Sequence, residues 1–99
     1  MELTIGEQKI SAKVIEEGTY TSEKSKKELR VLKVEFGIQG VDALDRYREL
    51  GIDAVRYGVL SEEKVSWTTS EYCSQWQQSP AGHGPNFYEA VWILREDER

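Results

Sequence analysis

The amino-acid sequence predicts an α+β fold: a mostly antiparallel β-sheet or partly open barrel, of OB-like strand order or as a flatter sheet, with one short helix after the third strand. Three observations carry this. Apolar residues alternate over Leu29–Ile38, with Leu32, Val34, Phe36 and Ile38 on one side. The period then becomes helical, with Ala43, Leu44, Tyr47 and Leu50 on one stripe. Short β-prone runs separated by polar turns fill the remainder. The chain has 99 residues, a length that fits one domain over 1–99.

Gly6 lies between Leu3–Ile5 and Gln8–Ile10, where a tight hairpin turn requires it. Ile10, Ala12 and Val14 alternate with Ser11 and Lys13, which predicts a half-buried strand to Ile15. Glu16–Glu28 is rich in Ser, Thr, Lys and Glu and reads as a long, mobile hairpin connection ahead of the Leu29–Ile38 strand. The helix is expected to start at Asp42, with Asp45 completing a capping-box-like pair. Gly51 is its expected stop, with Ile52 folding back on Tyr47. Ala54–Leu60 and Val65–Thr69, joined by Ser61–Lys64, predict a second hairpin. Ser70–Gln78 fits a strand or a helix, with the strand preferred. Ser79–Asn86 holds both prolines and two glycines and must be a loop. Phe87–Leu94, apolar on both parities, predicts a strand inside the sheet, and Arg95–Arg99 a solvated tail.

Composition narrows function by exclusion. Lys+Arg 13 against Asp+Glu 18 leaves a net charge of −5, which disfavours nucleic acid and anionic membranes as main partners. No run approaches the roughly 18 apolar residues of a membrane span, and Met1–Thr4 does not open a signal peptide, so a cytoplasmic setting is expected. The one Cys and one His, Cys73 and His83, stand ten positions apart without a surrounding motif. A dyad oriented by Glu71 is the catalytic reading, and a small packing residue beside a loop histidine is the plain one. No enzyme, cofactor or metal site is predicted. Asp42, Asp45 and Glu49 read as a solvated helix face, and Lys24, Lys26, Lys27, Arg30 and Lys33 form a local basic run that could steer an acidic partner, its plain reading being a solvated hairpin.

Six of the ten aromatics, Trp67, Tyr72, Trp76, Phe87, Tyr88 and Trp92, fall in the last third among Ser, Thr, Gln, Asn and Gly. Rings amid adaptable polar groups suit contact surfaces. Trp67, Phe87 and Trp92 are assigned to the core. Tyr72, Trp76 and Tyr88, with His83 in the loop they flank, are the candidate binding residues. The expected role is a structural or protein-interaction domain meeting a protein partner or a second copy of itself. The alternative is a small ligand- or oligonucleotide-binding module using the same rings.

Leu32-Lys33-Val34-Glu35-Phe36, Val41-Asp42-Ala43-Leu44 and Glu71-Tyr72 resemble segments of small proteins encoded in the tail region of siphovirus-like prophages of Gram-positive bacteria. The resemblance spans about half the chain. It implies a tail- or baseplate-associated assembly protein without catalytic activity, located in the cytoplasm or on a virion.

Overall fold

The computed structural model describes residues 1–69, 74–78 and 87–98, and at 74–78, 87 and 88 the backbone path only. Among these residues the order is β1 (Glu2–Ile5), β2 (Gln8–Ser11), β3 (Lys13–Thr21), β4 (Glu28–Gln39), α1 (Ala43–Tyr57), β5 (Val59–Ser61), β6 (Ser66–Thr68), β7 (Ser74–Gln78) and β8 (Phe87–Glu96). Every strand pairing is antiparallel. The strand path runs β2-β1-β5-β6-β8-β4-β3, and β7 pairs with β8 on the side that β6 also uses.

The two ends of that path, β2 and β3, are separated in sequence by Ala12 alone. They are therefore one bent strand that leaves one edge of the sheet and joins the other, and the sheet curls into a partly open barrel. Counted this way, the helix follows the third strand, as the sequence predicts. Ala12 is buried and exchanges two backbone hydrogen bonds with Met1, at 3.0 and 2.8 Å. Gly6 makes the first turn at φ 60, with Ile5 opposite Gln8, in the two-residue loop that suits the twist of a hairpin.

The core gathers the inward parity of each strand. Leu32, Val34, Phe36 and Ile38 of β4 are buried, as are Ala90, Trp92 and Leu94 of β8 beside them. Full burial of such aliphatic or aromatic side chains contributes about 1.5–3 kcal/mol each. Leu3 and Ile5, Val59 and Trp67 complete the wall, and α1 packs on β1, β4 and β8 through Ala43, Tyr47, Leu50 and Ala54. Val91 and Ile93 of β8 are half-buried on the opposite parity, so this central strand is covered fully on one face and partly on the other.

Several expectations change. The strand expected over Ile10–Ile15 bends at Ala12, and beyond it Val14 and Ile15 are 37% and 41% exposed. Glu16–Glu28 is not a mobile connection: β3 continues to Thr21 and β4 starts at Glu28. The loop between them is held by Ser22, whose Oγ accepts the Lys24 and Ser25 backbone N–H at 3.2 and 3.3 Å. Asp42 is the helix N-cap without a side-chain capping bond. Arg95 and Glu96 belong to β8 rather than to a tail.

The helix does not stop at Gly51. Its buried residues recur at i, i+4, i+7 and i+11, and Ala54 carries that stripe past the glycine. Ile52 is 57% exposed and so does not fold back on Tyr47, and Ala54–Tyr57 is helix where a strand was expected. The true stop is Gly58, whose N–H reaches the Ala54 carbonyl at 2.9 Å. A Cβ added at Gly51 meets nothing within 4 Å. Gly51→Ala is therefore expected to raise stability by about 0.5–1 kcal/mol through helix propensity, measured by urea unfolding. A loss would show that the glycine is needed there.

Candidate interaction surface

The hydrogen-bond phase of the β3–β4 hairpin identifies the backbone groups that point outward. Ser22 N–H donates to the Lys27 carbonyl at 2.9 Å, which makes the adjacent Thr21–Glu28 pair a non-hydrogen-bonded one. Alternation then directs the N–H and C=O of Thr21, Thr19 and Glu17 away from β4. At the other end Ala12 uses its outward groups on Met1, so the next outward position is Val14. A register shift between Val14 and Glu16 reconciles the two phases. Beyond Ala12 no strand covers this edge among the described residues. Eight of the nine residues of β3 are exposed, Tyr20 being the half-buried one.

Across the opening from this edge lies the β5–β6 turn. The Arg30 guanidinium spans the two, with Nε 3.4 Å from Glu17 of β3 and Nη1 3.4 Å from Glu63 of the turn. It also lies over the Trp67 ring, 5.3 Å from the centroid. Trp67 is fully buried, and its Nε1 has no hydrogen-bond partner among the described residues. The turn is tied to β1 by Glu62 N–H donating to the Glu2 carbonyl at 3.1 Å. Glu17 of the hairpin and Glu63 of the turn are thus joined through one guanidinium, while Glu16 stands opposite Lys33 in the β3–β4 register.

Both ion pairs of Arg30 are solvent-accessible and contribute little each, whereas its cover of the indole is partly desolvated. Arg30→Ala should therefore cost about 1 kcal/mol, nearly the same in about 0.05 and about 1 M salt, by thermal melting. A loss that vanishes in high salt would assign the effect to the ion pairs instead.

A second concavity, of about 600 Å³, lies between the β3–β4 loop and the β5–β6 turn, lined by Lys27, Leu29, Lys64, Val65, Glu96 and Asp97 among others. Its mixed charges select neither an anion nor a cation. Among the described residues no group of three or more His, Cys, Asp or Glu could hold a metal ion, and no helix is long and apolar enough to cross a membrane.

Of the candidate binding residues, Tyr72 and His83 lie outside the described residues, as do Glu71, Cys73 and the loop 79–86. Trp76 and Tyr88 are placed by backbone register alone: Trp76 opposite Ala90, and Tyr88 opposite Ile38 on one side and Gln78 on the other. Trp67 and Trp92 are in the core as expected. Sequence reasoning missed the edge of β3, although Val14, Ile15, Thr19, Tyr20 and Thr21 are the β-branched and aromatic types that strands favour. Compared with known proteins, the chain matches no family model, no curated protein and no solved structure.

Proposed function

We propose that this chain is a non-catalytic protein-interaction domain that works by offering a sheet edge, in an assembly of the kind implied by the resemblance to phage-tail-region proteins. The observation that carries this reading is the outer edge of β3, nine residues long, exposed and without a neighbouring strand among the described residues. Edges of this length are ordinarily shortened, covered or paired, because their free N–H and C=O groups template another chain. The test is chemical crosslinking and analytical ultracentrifugation with the proteins encoded beside it. One of them is expected to form a complex that Thr19→Pro weakens. A chain that binds none of them and stays monomeric at all concentrations overturns the reading.

A further inference from the structure

We propose that two copies of this chain associate through an exposed apolar flank of α1, the two helices crossing antiparallel about a twofold axis. This surface is separate from the edge of β3 and does not depend on it. The helix carries more apolar surface than the sheet covers. At about 100° per residue its buried stripe, Ala43, Tyr47, Leu50 and Ala54, occupies a sector of about 60°. Gly51, Leu44, Val55, Arg48 and Ile52 follow in that order round one flank, the last almost opposite the stripe. Leu44 is half-buried, whereas Val55 and Ile52 are 60% and 57% exposed. An apolar arc broken only by Arg48 thus runs from the core to the far side of the helix, where a helix with a single docking face carries polar residues. The opposite flank already has a neighbour: a Cβ at Gly6 of the β1–β2 turn would meet the Tyr57 ring at 3.5 Å and the Asp53 carboxylate at 3.7 Å.

Charge selects the occupant. Besides Arg48, the ionisable residues from the cap to the end of the helix are Asp42, Asp45, Arg46, Glu49, Asp53 and Arg56. Asp45 and Arg56 border the arc beside Ile52 and lie about 16 Å apart along the axis. A twofold axis level with Leu50 and Gly51 brings Asp45 of each copy to Arg56 of the other. In the same register Arg48 is level with Asp53, and Asp42, Arg46 and Glu49 are level with the uncharged Val59, Val55 and Ile52. No two like charges stand level. A parallel pair sets each charge against its own kind and aligns the helix dipoles, whereas the antiparallel pair opposes them. The net charge of −5 on each copy acts over a longer range, and about 0.15 M salt screens it beyond about 8 Å while leaving contact pairs in place.

The experiment is sedimentation equilibrium on the full chain, from about 5 μM to about 1 mM in about 0.15 M salt. A dimer dissociating at about 10–200 μM is expected, the strength of a small isologous contact. Ile52→Glu should weaken it at least about tenfold. The melting temperature of that variant at about 5 μM, where the native chain is monomeric, should match the native one, because the side chain is exposed in the monomer. Asp45→Arg and Arg56→Asp should each weaken self-association about fivefold or more, since like charges then meet twice. Mixed in equal amounts, these two variants should pair with each other about as tightly as the native chain, because both contacts are again between opposite charges. Thr19→Pro, at the sheet edge, should leave the dimer unchanged. Melting curves establish that each variant is folded, and the mixture needs no further substitution.

A chain that stays monomeric to about 1 mM overturns the proposal. So does a dimer that Ile52→Glu leaves intact, and charge variants that associate like the native chain would overturn the antiparallel register. If Thr19→Pro dissociates the dimer and Ile52→Glu does not, the copies pair through β3: the sheet-edge reading stands and the helix inference falls. If Ile52→Glu dissociates it while no protein encoded nearby binds the β3 edge, the helix inference stands and the sheet-edge reading falls.

Discussion

Replacing Trp92 with alanine will destabilise the domain by about 3–5 kcal/mol, the range for removing a buried tryptophan. Trp92 is 1% exposed and sits on the central strand β8, directly opposite Val34 of β4. Its ring meets Phe36 edge-on at 5.1 Å and Tyr47 of the helix at 6.3 Å. Its Nε1 donates to the Tyr47 hydroxyl at 3.3 Å. The indole therefore fills the space where helix and sheet meet. Tyr47→Phe removes the acceptor of that bond and strands a buried N–H, which costs about 1–3 kcal/mol, while the ring packing stays in place. Far-UV circular dichroism against urea measures both. A loss below about 1 kcal/mol for the alanine variant would mean that the core closes over the missing ring.

The second large effect is expected at Gly58. This residue ends the helix at φ 76 and ψ −174, a backbone conformation open essentially to glycine alone. It also passes close to β6: a Cβ would lie 3.4 Å from the Trp67 carbonyl oxygen. Gly58→Ala therefore combines backbone strain with a tight contact to main chain, and about 2–3 kcal/mol is expected. Gly18→Ala is the matched control, because a Cβ there meets nothing within 4 Å and the backbone is not left-handed. That variant should change stability by less than about 1 kcal/mol. Equal losses at the two sites would remove the conformational argument.

What the sequence reveals depends on burial. β4 is legible because its inward positions are large and apolar and its outward ones polar, so the period of two survives. The start of α1 is legible for the same reason. Its end is not, since the last residue of the buried stripe is Ala54, which contributes little apolar signal, while Gly51 looks like a stop and is only a weak spot in the helix. β3 is exposed on both faces, so no period marks it, and only its β-branched and aromatic content remains. The candidate surface is harder still to read. An unpaired edge is a property of where the neighbouring strands run, and no side chain of β3 encodes that β1 covers it only as far as Ala12.

The handover at Ala12 also shapes how the molecule must fold. Each half of the bent strand has a near partner in sequence: β1 with β2 through the Gly6 turn, and β4 with β3 through the Ser22 loop. These two hairpins are local and quick to close. The remaining walls are distant, with Leu3 meeting Ser61 and Val31 meeting Arg95, separations of 58 and 64 positions from 61 − 3 and 95 − 31. Loop closure over such lengths precedes any gain from burial, which places this topology toward the slow end for its size. Until β8 arrives, β4 has a partner on one side only, and its inward row of Leu32, Val34, Phe36 and Ile38 is left facing water. The hairpin arm is thus formed early and stabilised late, and the nascent chain carries its most aggregation-prone strand through that interval.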